Sequence, residues 1–370
     1  MRRRYMIGSS PSVLSTITMN QLISDPYSRV TGDINGEAIQ WIRQNSHIYL
    51  CKYKDGMMYI CQLDDSNSNY YHDGTSAALN NLGVDVMMKL PIFYTKAENT
   101  TSSVWDISFS NVKKDNTWME WGGDLIGVYE GFVNSNKLYS VVMSGSSSTG
   151  SISQSNFKTY ARNRGDGFTL VKWKHQNIMA FLYYAMYGNT NCQATIGSGT
   201  SSYSKEMGVT NALGMSDTVA GGNGDSNSIK FWGLENWWGN KWEWVDNVIV
   251  NPESADGLWR ITEDDGTTRD VQGIKMEGYP TEMVIGPHLD LIPKTAGGSS
   301  TAGYCDYMYT NSSSTTRVVR RSYSSAYAYG GVAGANAVSD SSDTHANSGS
   351  RLSYQGDITE IEDVAYFKSL

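Results

Sequence analysis

Cysteine is scarce in this chain of 370 residues. The four cysteines are Cys51, Cys61, Cys192 and Cys305, and none forms a C-x-x-C motif or shares a metal-ligand spacing with histidine. This pattern disfavours a zinc site, and in a chain of this length it provides no disulfide framework. Buried free thiols, as in a protein folded in a reducing cytoplasm, are the favoured interpretation. A disulfide between Cys51 and Cys61 on neighbouring strands is the alternative.

Charged residues and long apolar runs are also few. Only 18% of the residues are charged, and 29 Lys and Arg against 37 Asp and Glu give a net charge of −8. Binding to nucleic-acid phosphates depends on neutralising them with positive charge, so no nucleic-acid partner is expected. The longest apolar run, 179–186, is too short to span a bilayer, and residues 1–15 do not read as a signal peptide. The sequence therefore predicts a soluble protein with no membrane insertion.

Glycine, tyrosine and small polar residues are abundant, with 37 Gly and 24 Tyr in the chain. These residue types favour turns, short strands and long loops. Helical spacing of apolar residues predicts a short helix over 37–43 and a longer one over 168–187. Asp55-Gly56 and Asp264-Asp265-Gly266 each lie between strand-like runs and predict hairpins. One main helix among many short strands predicts an α+β fold.

The densest feature is a tryptophan-rich segment, residues 231–244. Of the 11 Trp in the chain, five fall in this segment: Trp232, Trp237, Trp238, Trp242 and Trp244. A Trp buries about 150–250 Å², and Gly233 and Gly239 divide the segment into short, turned pieces. We interpret the segment as structural core. An aromatic platform on which sugars stack is the alternative.

Composition changes abruptly between residues 296 and 350. This segment contains no Lys, Glu, Pro, Leu, Ile, Phe or Trp and consists mostly of Ser, Tyr, Gly, Ala, Asn, Asp and Thr. Few large apolar groups remain to offset chain entropy, which is typical of a disordered linker. The same residue types are typical of antibody binding loops, where Tyr supplies rigid contact area. Because Tyr recurs and ordinary composition returns at 357–370, we favour a binding surface.

The tryptophan-rich segment and this C-terminal segment together carry a resemblance to known proteins. Gly233 to Trp244 resembles the core signature "Gly-Leu-x-x-x-x-Gly-Asn-x-Trp-Glu-Trp" of the C-type-lectin-like fold. That fold is shared by formylglycine-generating enzymes and the variable proteins of diversity-generating retroelements. Arg317 to Ser322 and Gly349 to Leu352 resemble its closing strands, with departures.

Segments upstream are similar to phage tail-fibre and receptor-binding proteins, including versions found in gut Bacteroides and their phages. These segments are 86–94, 124–130 and 183–199. The whole resemblance covers about 76–370.

The resemblance implies an α+β, C-type-lectin-like ligand-binding domain over 76–370, with short twisted strands, few helices and long loops. Residues 1–75 would form an N-terminal attachment or oligomerisation region. Residues 296–352 would form a variable region, in which a retroelement rewrites adenine-containing codons around scaffold segments at 317–319, 330–332 and 349–352. The side chains expected to face the ligand are Tyr304, Asp306, Tyr307, Tyr309, Tyr323, Ser325, Tyr327, Tyr329, Asn336, Asp340, Ser341, Asp343, His345 and Asn347.

The function implied by the resemblance is that of a displayed receptor-binding or adhesion protein. It would be a phage fibre or a head or tail appendage, made in the bacterial cytoplasm and located in the virion. Its partners would be a bacterial surface protein or glycan and, through the N-terminal region, other virion proteins. A homotrimer is expected, since fibres are commonly trimeric and weak sites gain from multivalency. No cofactor, metal or catalytic residue is expected.

Two alternative functions are considered beside this one. An oxidase of the formylglycine-generating type needs a thiolate-forming cysteine pair, and Cys305 has no second cysteine near it in the sequence. The five histidines lie in no recognisable catalytic motif, and His175 is interpreted as structural or exposed. A calcium-dependent sugar lectin is suggested weakly by Asn251-Pro252-Glu253, without the Trp-Asn-Asp strand that usually accompanies it.

Overall fold

A computed structural model describes residues 11–143, 145–220, 227–310, 314–322 and 330–370. Within these residues the chain forms 27 strands, five α-helices and two short 3-10 helices, at 211–213 and 252–254. The first strands are β1 (Leu14–Asn20), β2 (Val30–Gly32), β3 (His47–Lys54), β4 (Met57–Gln62), β5 (Asp85–Lys89), β6 (Phe93–Thr101), β7 (Val104–Ser110), β8 (Met119–Trp121), β9 (Leu125–Gly127), β10 (Phe132–Asn134), β11 (Lys137–Tyr139) and β12 (Phe168–Leu170). The later strands are β13 (Thr218–Val219), β14 (Ile229–Phe231), β15 (Leu234–Glu235), β16 (Trp242–Val250), β17 (Leu258–Thr262), β18 (Thr268–Gln272), β19 (Glu277–Gly278), β20 (Pro280–Val284), β21 (Ile292–Ala296), β22 (Met308–Tyr309), β23 (Arg317–Ser322), β24 (Ala335–Ser339), β25 (Ser348–Ser350), β26 (Leu352–Tyr354) and β27 (Ile358–Glu360). The α-helices are α1 (Glu37–Gln44), α2 (Gln154–Arg162), α3 (Trp173–Tyr187), α4 (Cys192–Thr195) and α5 (Val364–Ser369).

Three large sheets make up most of the fold. A five-stranded sheet has the order β2-β1-β7-β6-β8, and a seven-stranded sheet has the order β12-β26-β9-β5-β3-β4-β27. An eight-stranded sheet runs β18-β17-β16-β23-β24-β22-β19, with β25 paired beside β16. Most pairs are antiparallel, and the parallel exceptions include β25 with β16 and β27 with β4. The architecture is mostly β-sheet with few helices, which is compatible with the expected α+β class.

Helix α3 lies inside the hydrophobic core. Twelve of its 15 residues are buried. A helix that is buried on all sides has apolar residues on nearly all of its faces. The helix ends at Gly188, whose φ of 67° is the left-handed conformation that favours glycine at this position. None of the helices formed by the described residues has the length and apolarity needed to cross a membrane.

The helix predicted over 168–187 begins later than expected. Phe168–Leu170 is a strand, β12, that pairs antiparallel with β26, and α3 begins only at Trp173. Phe168 and Leu170 are both buried, which is the two-residue period of a strand. The main-chain N–H of Lys172 donates to Nδ1 of His175 at 3.1 Å and closes the first helical turn. Apolar residues at 168 and 170 fit both the helical period and the strand period. The sequence pattern alone therefore predicted one helix where the structure has a strand followed by a helix.

Residues 11–75 are built into the same sheets as the rest of the chain. Strand β1 pairs along its whole length with β7, and β3 lies between β4 and β5. Ile17, Ile39 and Leu50 belong to the same core cluster as most of the tryptophan-rich segment. Strand pairing therefore crosses residue 75, and the strands before it have partners after it.

Both predicted hairpins are present, as β3–β4 and β17–β18. The first of them also decides the cysteine question. In its ladder Cys51 lies opposite Ile60 and Leu50 lies opposite Cys61, so the two thiols point to opposite faces of the sheet. All four cysteines are buried free thiols. The alternative of a disulfide between Cys51 and Cys61 is therefore wrong.

Candidate ligand-binding surface

The tryptophan-rich segment lies beneath the C-terminal strands. Trp232, Trp237, Trp238 and Trp244 are fully buried, whereas Trp242 is half-buried. The segment turns sharply at Gly239, where a Cβ would lie 2.9 Å from the main-chain nitrogen of Thr200. Because the described indoles are mostly inside the protein, they are placed as core and not as an open stacking platform.

Glu243 connects the tryptophan-rich segment to the C-terminal strands. It lies opposite Arg321 in the β16–β23 ladder and opposite Gly349 in the β16–β25 ladder. Its carboxylate accepts from Nη2 of Arg321 at 2.7 Å and from Nη2 of Arg351 at 2.6 Å. Burial alone would raise the pKa of Glu243, but the two arginines outweigh it and lower that pKa, so the carboxylate stays charged.

Both arginines make further contacts with the buried core. Arg351 also donates to four main-chain carbonyls, those of Gly127, Val128, Glu235 and Asn236, at 2.7–3.2 Å. The guanidinium carbon of Arg321 lies 3.3 Å from the ring centroid of Trp237. Cation–π stacking of this kind adds to the ion pairs. Together the contacts fix β23 and the β25–β26 junction to the core.

The side chains expected to face a ligand fall into four groups. Asp340, Ser341 and His345 are exposed. Tyr307, Tyr309, Asp343 and Asn347 are half-buried. Tyr304, Asp306 and Asn336 are buried. The remaining four, Tyr323, Ser325, Tyr327 and Tyr329, lie outside the described residues.

The three buried residues correct the sequence-based expectation. The hydroxyl of Tyr304 donates to Oε1 of Gln21 at 2.6 Å, deep in the core. Oδ2 of Asp306 accepts from the main-chain N–H of Ala333 at 2.8 Å. Oδ1 of Asn336 accepts from Arg320 at 3.0 Å. These polar side chains hold neighbouring segments in place, and as buried groups they present no surface to a large ligand.

Residues 340–347, here called loop 340–347, join β24 to β25 and carry the exposed side chains. The main chain of the loop is nonetheless held at several points. The carbonyl of Ser341 accepts from the hydroxyl of Ser155 at 3.0 Å, and that of His345 accepts from the N–H of Ser151 at 2.9 Å. The carbonyl of Asn347 accepts from the N–H of Trp242, also at 2.9 Å. The loop therefore offers accessible side chains on a fixed main chain.

A groove of 540 Å³ lies between this loop and helix α2, and we call it the α2 groove. A second groove, of 600 Å³, continues from it and shares Lys158, Arg162 and Ile249. The sequence pattern did not predict α2, although Ser153 is a recognisable N-cap, with its hydroxyl accepting from the N–H of Asn156 at 3.3 Å. The residues that line the α2 groove are Gln154, Ser155, Lys158, Arg162, Ile249, Thr316, Val318, Asp340 and Ser341.

His175 is paired with an acid that the sequence did not reveal. Its Nε2 lies 2.9 Å from Asp124, and its Nδ1 accepts from the N–H of Lys172. Burial lowers the pKa of His175, against the opposing effect of Asp124, so the ring is neutral at pH 7. The pair lines a cavity of 230 Å³. Since both ring nitrogens are engaged, His175 has no free nitrogen to act as a base, and its role is to fix the start of α3.

Cys192, which is distant in sequence, lies near Cys305 in the structure. Its thiol sulfur accepts from the N–H of Val332 at 3.2 Å, close to Asp306. Burial raises the pKa of Cys192 well above its usual value and that of Cys305 to about 12. Both are therefore thiols and not thiolates at neutral pH.

The Asn251–Glu253 turn uses both of its polar side chains within the protein. Oδ1 of Asn251 accepts from the N–H of Gly257 at 2.8 Å, and Glu253 pairs with Arg260 at 2.7 Å. Among the described residues, no group of three or more His, Cys, Asp or Glu is arranged to hold a metal ion.

No protein-family model matches this chain, and no curated protein matches it. Its function is therefore inferred from its own residues.

Proposed function

We propose that this chain is a displayed receptor-binding protein. Its C-terminal surface recognises a ligand on the bacterial surface, and a C-type-lectin-like domain supplies the scaffold. The observation that carries the proposal is the contrast within loop 340–347. The side chains of Asp340, Ser341 and His345 are exposed, whereas the carbonyls of Ser341 and His345 are hydrogen-bonded to the segment 151–155.

This contrast suits recognition for an energetic reason. A ligand that binds a mobile loop loses affinity to the entropy of ordering it, whereas a loop fixed in advance avoids that loss. The ion pairs of Glu243 with Arg321 and Arg351 anchor β23, which pairs with β24, and the β25–β26 junction. Side chains on such a loop can therefore differ between relatives without loss of the fold beneath them.

The ligand is proposed to be a bacterial surface protein or glycan that enters the α2 groove. One wall of the groove carries the cations Lys158 and Arg162, and the other carries Asp340 and Ser341. Ile249 supplies an apolar patch between them. Most of the lining is polar or charged, and polar groups of this kind fix the orientation of a ligand.

An oxidase of the formylglycine-generating type is less well supported. That chemistry requires an accessible thiolate. Cys192 and Cys305 lie near each other, but both are buried, and burial raises the pKa of each thiol. The pair therefore lacks the electropositive, partly exposed surroundings that make a cysteine reactive.

Cell binding tests the proposal. Fluorescently labelled full-length protein is added to a panel of gut Bacteroides strains, and bound fluorescence is measured by flow cytometry. Ser341→Arg places bulk in the lining of the α2 groove, and His345→Arg places bulk at an exposed position of the same loop. We expect each to reduce binding to a responsive strain at least tenfold. Lys137→Arg, at an exposed residue of the β10–β11 hairpin, is the matched control and should bind as the unsubstituted protein does.

Two results would contradict the proposal. One is the absence of binding to every strain tested. The other is unchanged binding by both loop variants while their circular dichroism spectra match that of the unsubstituted protein.

Diversification by a retroelement is part of the same proposal. Sequences from several isolates should differ at exposed and half-buried positions such as Asp340, Ser341 and Tyr307, and much less at the buried Tyr304 and Asp306. A near-identical template repeat beside a reverse-transcriptase gene would support this mechanism. Substitutions spread evenly along the chain would contradict it.

Display on a virion as a homotrimer, attached through residues 1–75, completes the proposal. Because β1, β3 and β4 are integral to the sheets, attachment would use the outer surface of these strands and not a separate domain. Light scattering at micromolar concentration should give three times the mass of one chain. A monomer under those conditions would count against the trimer.

A further inference from the structure

Lys230 is a fully buried lysine whose ammonium group has no hydrogen-bond acceptor among the described residues. It belongs to β14, directly before the tryptophan-rich segment. An ammonium group buried without an acceptor is strongly unfavourable, because it has lost its water and gained nothing in return. Burial lowers the pKa of Lys230 to about 8, which still leaves the group charged at pH 7. Some acceptor that is not a protein group would relieve this cost.

A second unpartnered donor lies on the same side of the strand. Ser228 is two residues before Lys230, so its side chain points to the same face of the extended chain. Ser228 is 3% exposed, and its hydroxyl also has no partner within the described structure. Two buried donors, one of them charged, therefore share one face, and neither has a hydrogen-bond partner among the described residues.

The nearest acid is already committed elsewhere. Glu235 lies opposite Lys230 in the β14–β15 ladder. Its carboxylate accepts from the N–H of Gly208 at 2.8 Å, and from the N–H and hydroxyl of Thr210 at 2.8 and 2.7 Å. Glu235 attracts Lys230 through space, but its hydrogen-bonding capacity is used to hold the segment 208–210.

The charges buried within and beside the tryptophan-rich segment do not balance. Five are cationic, namely Lys230, Lys241, Arg320, Arg321 and Arg351. Four are acidic, namely Glu130, Glu235, Glu243 and Asp246. Five minus four leaves one positive charge in excess. Burial raises the pKa of Glu130 to about 7, so near neutral pH that acid is only partly ionised and the excess is larger.

We propose that Lys230 and Ser228 hold a small monovalent anion of the halide class inside the core, with Nζ and Oγ as its donors. A halide accepts from N–H and O–H groups without needing a proton, and its charge offsets the positive excess. A water molecule would accept from the same donors but would leave that excess in place. The anion would stabilise the core on which the C-terminal strands rest, whatever ligand those strands bind.

Salt-dependent unfolding of the full chain tests the proposal. Tm is measured at pH 7 in sodium chloride and in sodium gluconate at equal ionic strength, since gluconate is too large for a buried site. We expect chloride to raise Tm by about 2–4 °C in a saturable manner. Lys230→Met should abolish this difference. Lys137→Met removes an exposed lysine and should retain it. Equal Tm values in the two salts for the unsubstituted protein would overturn the proposal.

Bromide locates the anion directly and does not depend on a variant that folds. Crystals grown or soaked in sodium bromide should show an anomalous peak within hydrogen-bonding distance of Nζ of Lys230. Peaks confined to the protein surface, or a water molecule alone at Nζ, would overturn the proposal. If Lys230→Met does not fold, the chloride titration and the bromide peak still decide the question.

Discussion

Glu243 and Arg351 form a fully buried ion pair, with 2.6 Å between Oε1 and Nη2. They are 108 residues apart in sequence and meet because β25 lies parallel to β16. This contact joins the tryptophan-rich segment to the last part of the chain. Removing either partner would leave the other charge buried without compensation.

Arg351→Met should therefore be strongly destabilising, by about 3–5 kcal/mol in the free energy of unfolding, because Glu243 loses a charged partner in a buried site. Urea denaturation followed by tryptophan fluorescence measures this change. Arg260→Met is the matched control. Arg260 pairs with two carboxylates, Glu253 and Asp270, but at the surface, so its loss should lower the free energy of unfolding much less. Equal losses in the free energy of unfolding for the two variants would show that burial of the ion pair does not set its contribution to stability.

Trp244→Ala and Trp242→Ala should differ although the two residues share one strand. Trp244 is fully buried, and its replacement should cost about 3–5 kcal/mol through loss of burial and creation of a cavity. Trp242 is half-buried, so its replacement should cost clearly less. Thermal unfolding of the two variants side by side tests this order. A larger loss for Trp242→Ala would contradict the assignment of Trp244 to the core.

Asp306 should make stability depend on pH near neutrality. Burial raises its pKa from 3.8 to about 7, so between these values the folded state binds a proton that the unfolded state has released. The contribution of this proton binding to the free energy of unfolding is fully present below about pH 4 and is lost as pH rises through 7. It should fall by on the order of 3 kcal/mol between pH 5 and pH 8. Urea midpoints of the unsubstituted protein and Asp306→Asn, compared across this range, isolate the effect. Parallel curves would contradict it.

Gly331→Ala should destabilise the segment that Asp306 holds. A Cβ at this position would overlap Oδ1 of Asp306 and would lie 2.6 Å from the sulfur of Cys192. Overpacking of this kind costs about 1–3 kcal/mol. Gly83→Ala is the control, because there the nearest atom is the side-chain oxygen of Asn81 at 3.3 Å, which can move away. Chemical denaturation measures the free energy of unfolding of both variants. An unchanged free energy of unfolding for Gly331→Ala would show that the neighbouring side chains move away without cost.

The sequence by itself determined that many short strands accompany few helices, as the α+β prediction stated, and it located both hairpins. These features are local: alternation of side chains and turn residues report on a few neighbouring positions. Clustering of five Trp in 231–244 likewise pointed to the core before any contact was known, because indoles of that size are rarely left in water.

Only the tertiary structure decided which residues of the C-terminal segment reach the surface. Tyr304 and Asp306 share their residue types with the half-buried Tyr307 and the exposed Asp340, yet they are buried because other segments, at Gln21 and Ala333, provide their partners. The α2 groove likewise arises where α2 meets loop 340–347, elements almost 180 residues apart. Long-range strand pairing, such as that of β16 with β23 and β25, sets these positions, and no local pattern in the sequence encodes it.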